Sequence, residues 1–128
     1  MLIQRPIADV WSFLSDLRNE SQWWRGVYRS DRLEGDGGVG TRYYLHATLI
    51  GIPSDADVLV TKFQPPQLIA IKATGRLVYT CDYHLAPAGE HTLLHLLINI
   101  ERLPQWLSPL FEGLVAYNLR RLRGVLAH

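Results

Sequence analysis

The sequence contains very little cysteine. Its one cysteine, Cys81, has no second cysteine in the chain to pair with, so an internal disulfide bond is excluded. Disulfide bonds form and persist mainly in oxidising compartments. A single thiol is therefore typical of a reducing compartment, and we predict a cytoplasmic location.

A charge excess of one sign and a long apolar run are also missing. The 13 Lys and Arg residues nearly balance the 12 Asp and Glu residues, which leaves a net charge of +1. This balance excludes a sequence-wide basic footprint for nucleic acid or for an anionic membrane. No apolar stretch approaches the roughly 20 residues of a membrane-spanning helix. Arg5 and Asp9 interrupt the N-terminus before a signal-like segment could form. We expect neither a nucleic-acid partner nor a membrane span.

Typical metal-binding motifs give little support for a metal site. Cys81 has no second cysteine for a C-x-x-C pair, and His91 and His95, which are four residues apart, lie in a predicted turn and strand and not on one face of a helix. His46, His84 and His95 fall on the outward face of the strands predicted below. We therefore predict neither a metal nor another cofactor.

The apolar content, by contrast, is sufficient for a continuous core. The chain has 128 residues, of which 48% are hydrophobic and 20% are charged. A chain of this size and composition can bury the core of one domain. We predict a single domain over residues 1–128.

Apolar residues at three- and four-residue spacing predict helices at both ends of the chain. A first helix follows Pro6, whose fixed φ suits a first helical position, and extends over about Pro6–Leu17. A brief second helix or turn is predicted over Asn19–Trp24. After Pro104, a long helix is marked by one stripe of residues: Leu107, Phe111, Leu114, Asn118, Leu122 and Val125.

Between these helices, β-branched and aromatic segments are separated by clusters of glycine and proline, which is typical of strands joined by turns. The connections are short enough for hairpins, so we predict an antiparallel meander. The predicted strands are Val27–Leu33, Thr41–Ile50, Ala56–Phe63, Leu68–Thr74, Leu77–Leu85 and Thr92–Ile100.

Alternation along each strand predicts which side chains face the core. The strand from Ala56 gives no clear apolar face, and Asp57 is left unassigned. A hairpin that turns at about Pro87–Glu90 pairs Tyr83 with Leu94, and it pairs Asp82 with His95 on the outside. The residues predicted to face inward are Tyr43, Leu45, Ala47 and Leu49, then Ile69, Ile71 and Ala73, then Leu77, Tyr79, Cys81, Tyr83 and Leu85, then Leu94, Leu96, Ile98 and Ile100.

The predicted interior contains polar atoms but no Asp, Glu or His suited to proton transfer. A buried thiol without a cationic neighbour, as predicted for Cys81, behaves as a small hydrophobic side chain. The polar groups of Tyr43, Tyr79, Tyr83 and Asn118 must find partners in a local network or in a ligand, and both alternatives stay open. The candidate ligand-binding residues are Trp11, Tyr43, Leu45, Tyr79, Cys81, Tyr83, Phe111, Leu114 and Asn118.

Several short motifs follow one another in a characteristic order along nearly the whole chain. They are Pro6-x-x-x-Val10-Trp11 with Asp16 and Trp23 or Trp24, Gly40-Thr41-Arg42, Phe63-x-Pro65-Pro66-x-Leu68, Tyr83-x-Leu85 with Gly89-x-x-Thr92, and Asn118-Leu119-x-x-Leu122. Together they resemble the polyketide cyclase/dehydrase and lipid-transport family of the START-like (SRPBCC) superfamily. The resemblance implies an α+β helix-grip fold. In that fold a curved antiparallel sheet wraps a long C-terminal helix, two short helices precede it, and a cavity lies between sheet and helix.

The chain departs from the family pattern at its beginning. Members usually have a full strand ahead of the first helix, and here only Met1–Gln4 is available for it. We expect this strand to be short or truncated. Either the open sheet edge invites a second chain, as in a homodimer, or the natural chain starts further upstream.

The resemblance and the apolar interior lead to three hypotheses on function. The first is that the chain binds a small apolar or aromatic molecule, lipid-like or polyketide-like, in the cavity. The second is a cyclase or dehydratase type of enzyme, in which a tyrosine hydroxyl polarises a carbonyl and the cavity folds the substrate. The third is a protein-interaction domain, suggested by Leu93 and Leu97 on the outward face and by the short first strand. The identity of the ligand and the catalytic residues stay open.

Overall fold

A computed structural model of the chain describes residues 1–49, 51–101, 106 and 108–126. The predicted strand end at Ile50 and the predicted helix positions Pro104 and Leu107 lie outside the described residues. The elements in chain order are β1 Leu2–Ile3, α1 Ile7–Leu14, a 3₁₀ helix Leu17–Asn19, α2 Glu20–Trp23, β2 Val27–Glu34, β3 Arg42–Leu49, β4 Ile52–Pro53, β5 Ala56–Gln64, β6 Leu68–Gly75, β7 Val78–Ala88, β8 His91–Ile100 and α3 Ser108–Leu126.

The described strands form one eight-stranded sheet in the order β1-β8-β7-β6-β5-β3-β2, with β4 paired to β3 at the side. All of the pairings are antiparallel. Most neighbours in the sheet are also neighbours in the chain, as hairpin connections require. The sheet is curved, and α3 lies on its concave side. The predicted α+β helix-grip fold is therefore confirmed.

The first strand is short, as expected, and it is nevertheless anchored. Leu2 pairs with Leu93 and Ile3 pairs with Thr92 on β8. The Met1 amino group donates a hydrogen bond to the carbonyl oxygen of Leu94 at 2.7 Å. Because the Ile3 side chain is buried in the core, this short strand contributes packing as well as backbone hydrogen bonds.

The predicted first helix ends earlier than expected. α1 ends at Leu14, and Asp16 adopts an extended conformation. The Asp16 carboxylate accepts a hydrogen bond from the backbone N–H of Arg18 at 3.1 Å, and it also pairs with the Arg18 guanidinium. Aspartate that bonds the backbone two residues ahead competes with helix continuation. The chain therefore turns into the 3₁₀ helix and then into α2.

The hairpin between β7 and β8 has a different register from the predicted one. Tyr83 pairs with Leu96, Asp82 with Leu97 and His84 with His95, so the predicted Tyr83–Leu94 and Asp82–His95 pairs are wrong. The turn is shorter than assumed, because only Gly89 and Glu90 separate the strands, and Gly89 has a φ of +65° that favours glycine. The correction moves the pairing by two residues. Since side chains alternate with a period of two, the inward face is unchanged.

A β-bulge explains why β5 has no simple alternation in the sequence. Its register against β6 shifts between Val60 and Lys62. The extra residue places Phe63 on the same face as Val60, where its ring centroid lies 5.4 Å from that of Trp11. Asp57, for which the sequence predicts no face, is exposed on the outer side.

Candidate functional site

An opening between the concave face of the sheet and the first half of α3 is the main candidate site. It has a narrow inner cavity of about 70 Å³ and an open outer groove of about 650 Å³. The two compartments adjoin, because five residues belong to the lining of both. These are Gly26, Thr48, Leu49, Phe111 and Leu114.

The wall of the inner cavity is mainly apolar and comes from both the sheet and the helix. Alternation on β3 and β7 turns the inward side chains toward the cavity, and one stripe of α3 faces them. The candidate residues that the structure brings together here are Leu45, Tyr79, Cys81, Tyr83, Phe111 and Leu114. Their contact with a ligand remains a prediction.

The remaining candidate residues lie outside the lining of the cavity. Trp11 packs against Phe63, and Tyr43 is buried near the 3₁₀ helix, where burial, followed by the negative charge of Asp16, raises the pKa of its phenol. Asn118 is fully buried, and its Oδ1 accepts a hydrogen bond from the Arg25 N–H at 2.8 Å. Helix spacing correctly placed Asn118 on the inward stripe of α3. Its hydrogen bond links α3 to the segment after α2.

A carboxyl group, that of Glu20, lies in the inner cavity. Glu20 is only 6% exposed and lines the cavity, and its Oε1 accepts a hydrogen bond from the Tyr83 hydroxyl at 2.8 Å. Burial raises the pKa of Glu20 from its ordinary value of 4.5 to about 7, although the Tyr83 hydrogen bond opposes this rise. The expectation that the interior contains no acid suited to proton transfer is therefore wrong.

The position of Glu20 follows from how α2 packs. α2 begins at Glu20 and places Trp23 in the core, edge-on to Tyr83 at 6.4 Å between ring centroids. The sequence carries a weak signal for this position. Leu17, Glu20 and Trp23 are spaced by three, which is a helical repeat, and both apolar members are buried. The segment is short and polar overall, so this spacing does not by itself indicate an inward face.

The other described titratable groups that line the inner cavity, on Tyr79, Cys81 and Tyr83, are also acids. Burial raises the pKa of Tyr79, of Cys81 and of Tyr83, and the nearby Glu20 carboxylate raises all of them further. These groups therefore stay neutral at pH values where Glu20 changes its charge. Among the described residues that line the inner cavity, Glu20 is therefore the one whose pKa of about 7 lies near neutral pH.

The outer groove differs from the inner cavity in that a basic residue, Arg25, is part of its lining. The Arg25 guanidinium carbon lies 5.8 Å from the ring centroid of Tyr117, and Leu110 is 58% exposed. Gly26 brings the chain close to β3: a Cβ there would collide with the Thr48 carbonyl oxygen, and the Thr48 N–H donates to the Gly26 carbonyl at 2.8 Å. A substitution at Gly26 would therefore disturb the rim that the two compartments share.

A curved antiparallel sheet that holds a C-terminal helix over a partly apolar cavity defines the START-like, helix-grip class. The chain belongs to the polyketide cyclase / dehydrase and lipid transport family, whose sequence model matches residues 1–127. The family predicted from the motifs is thus confirmed. No curated protein matches the chain. Within the described residues, no helix is both long and apolar enough to span a membrane.

Solved structures support the fold at low sequence identity. A START superfamily protein from Mycobacterium smegmatis has a TM-score of 0.86 at 16% identity, over 99% of this chain and 93% of that chain. The protein TTHA0849 from Thermus thermophilus has a TM-score of 0.80 at 19% identity, over 99% and 93% of the two chains. DynU16, a protein in the dynemicin biosynthetic locus, has a TM-score of 0.76 at 16% identity, over 99% of this chain and 45% of that chain.

Proposed function

We propose that the chain binds a small, largely apolar or aromatic molecule, lipid-like or polyketide-like, in the cavity between the sheet and α3. One observation carries the proposal: an apolar cavity whose inner end holds a hydrogen-bonded carboxyl and phenol, Glu20 and Tyr83. Small-molecule sites are typically apolar and contain a few placed polar groups that orient the ligand. Membership of a lipid-transport and polyketide cyclase family supports the same class of ligand.

The two compartments suggest how such a ligand lies. The inner cavity of about 70 Å³ has room for a few water molecules, since one water needs roughly 10–15 Å³ on this measure. Pockets for larger ligands measure about 300–1,000 Å³. We therefore place the polar group of the ligand at Glu20, part of its apolar body in the inner cavity, and the rest in the groove.

The first experiment is native mass spectrometry of the purified protein, followed by denaturing extraction of any bound compound. Titration with the neutral fluorescent probe N-phenylnaphthylamine then tests the location. Ala47→Phe fills the cavity from β3 and is expected to weaken probe binding by at least about ten-fold, which corresponds to about 1.4 kcal/mol. Thr80→Phe adds the same ring to an exposed position of β7 and should leave binding unchanged. Equal effects of the two variants, or no binding by the wild type, would contradict the proposal.

Cyclase or dehydratase turnover is the second candidate, and Glu20 favours it. A carboxyl with a pKa near the working pH can both accept and donate a proton, which contributes about 10²–10⁴-fold in general acid–base catalysis. Because the Tyr83 hydroxyl donates to Glu20, Tyr79 is the phenol available to polarise a carbonyl. Glu20→Gln and Tyr79→Phe should each lower kcat on a polyketone substrate while the substrate still binds. Binding without turnover in the wild type would leave only the binding function.

A homodimer and a cytoplasmic location complete the proposal. Leu93 and Leu97 are 47% and 52% exposed on the outer face of β8, next to the sheet edge that β1 covers only in part. The free, buried thiol of Cys81 fits a reducing compartment. Sedimentation equilibrium over a range of concentrations tests the dimer, which a constant monomer mass would contradict. If it is a dimer, Leu97→Lys should yield the monomer.

A further inference from the structure

Within the part of the chain that the structure describes, the titratable groups at the inner end of the cavity are acids. They belong to Glu20, Tyr79, Cys81 and Tyr83, and each of them is neutral or negative in every ionisation state. Among the described lining residues, the basic one is Arg25, which belongs to the outer groove. The described acids therefore lie at the inner end and the described base lies in the outer groove, so the inner end favours a positive charge.

Among the described residues, the Glu20 carboxylate accepts a side-chain hydrogen bond from Tyr83 alone. Tyr83 donates to Oε1, and no described residue donates a hydrogen bond to Oε2. A buried carboxylate that lacks a cationic partner is costly, and a cation with an N–H donor is the group that offsets this cost best. Because Glu20 lines the cavity, such a donor can be supplied by a ligand.

We propose that this end of the cavity recognises a basic nitrogen: the ligand is an apolar or aromatic amine whose ammonium group donates a hydrogen bond to Oε2 of Glu20. The inference rests on the proposed binding function and specifies its ligand class. The aromatic or aliphatic body of the amine lies along the apolar wall, against side chains such as Ile71 and Leu114.

Charge distinguishes this class from other polar ligands. A carboxylate ligand would place a second negative charge beside Glu20, and like charges at such short range repel strongly. A carbonyl ligand requires a donor, so it favours the protonated form of Glu20. An ammonium ligand requires the ionised form. The amine and carbonyl classes therefore predict opposite dependences of affinity on pH.

The expected pH dependence follows from the groups that face Glu20. From β7 these are Tyr79, Cys81 and Tyr83, which burial and the charge of Glu20 keep neutral. The described lining residues from β2, β3, β5, β6, β8 and α3 are not titratable. With a Glu20 pKa of about 7, the ionised fraction rises about ten-fold between about pH 6 and pH 8. Affinity for an ammonium ligand should rise with it, and binding below about pH 7 should release a proton.

Isothermal titration with naphthylmethylamine, naphthylmethanol and naphthoate tests the class, since these ligands share one ring system and differ in the polar group. We expect the amine to bind at least about ten-fold more tightly than the alcohol at about pH 8, with the preference falling about ten-fold at about pH 6. Naphthoate should not bind measurably. Proton release is read from titrations in buffers of different ionisation enthalpy.

Two variants assign the effect to Glu20. Glu20→Gln keeps the volume and the acceptor for Tyr83 but removes the charge, so it should abolish the amine preference and its pH dependence while the alcohol still binds. Asp82→Asn removes a carboxylate from the outer side of β7 and should keep both. Equal binding of amine and alcohol by the wild type, or an amine preference that survives Glu20→Gln, overturns this inference and leaves the binding function standing. If neither these ligands nor the neutral probe binds, both proposals fall.

Discussion

The two walls of the cavity differ in how firmly they are held. On the sheet side, Leu45, Ile71 and Cys81 are each 2% exposed, and their strands are hydrogen-bonded to neighbours on both sides. On the helix side, Phe111 and Leu114 are only half-buried in the first half of α3. The second half of α3 is the anchored one, through residues such as Asn118 and Leu122.

In the proposed binding function, this difference assigns ligand recognition to one wall and ligand entry to the other. The sheet wall, together with α2, carries the polar groups, Glu20 and Tyr83, that would distinguish one ligand from another. The helix wall covers the opening incompletely and leaves a groove of about 650 Å³. Elements that admit ligands are drawn from the less stable parts of a fold, because they must move or remain open. The comparison suggests substitutions that should affect the two walls unequally.

The largest expected effect is on the free energy of unfolding. Leu45→Ala in the sheet wall should lower it by about 2–4 kcal/mol, because the buried side chain loses both apolar burial and packing contacts. The same change in the helix wall, Leu114→Ala, should cost about 1 kcal/mol or less. Urea denaturation followed by circular dichroism measures both. Equal costs would mean that the helix wall is as tightly packed as the sheet wall.

The next effect concerns the pH dependence of stability and isolates Glu20. A carboxyl whose pKa is raised by folding binds its proton more tightly in the folded state, so the wild type loses stability as the pH rises from about 4.5 to about 7. The loss amounts to about 3 kcal/mol and is complete above this range. Glu20→Gln lacks the carboxyl and should be more stable than the wild type above about pH 7.

The measurement is the difference in unfolding free energy between wild type and Glu20→Gln at a series of pH values. Taking the difference cancels the contributions of the other titratable groups. A difference that does not change between about pH 4.5 and pH 7 would show that Glu20 is solvated, which would remove the basis for its role in the cavity.

The smallest expected effect on the free energy of unfolding concerns the hydrogen bond between Asn118 of α3 and the Arg25 backbone. Asn118→Ala leaves the Arg25 N–H without its acceptor and should lower the unfolding free energy by about 1–2 kcal/mol. Asn99→Ala, which truncates an exposed asparagine on β8, should change it by less than about 0.5 kcal/mol. Indistinguishable effects would show that the second half of α3 is held by apolar contacts alone.

Much of the sheet wall was predictable from the sequence. Alternation placed Leu45, Tyr79, Cys81 and Tyr83 on the inner face, and this assignment survived the error in the β7–β8 register. A register error of two residues keeps every side chain on its face, so the inward set is more robust than the pairing. The bulge in β5 was not predictable, because an inserted residue breaks the repeat without leaving a motif.

The helix wall and the acid of the cavity were predicted less well. The stripe of α3 was correct at Phe111 and Leu114, but the spacing could not reveal that the first half of the helix is only half-buried. Asn118 lies on that stripe and yet bonds to the backbone N–H of Arg25, outside the inner cavity. Trp11 and Tyr43 also face inward, but they pack in parts of the core that do not line the cavity. An inward direction alone therefore does not identify a lining residue.

The sequence by itself determined the family, the order of helices and strands, and the inward face of most strands, because these depend on local repeats and on motifs that are contiguous in the chain. Only the tertiary structure decided that the cavity contains an acid. Glu20 lies in a short helix of mixed polarity, and its burial depends on β7, whose Tyr83 is 63 residues away in the chain. Desolvation depends on surroundings in three dimensions, so no local pattern could have revealed a carboxyl whose pKa lies near neutrality.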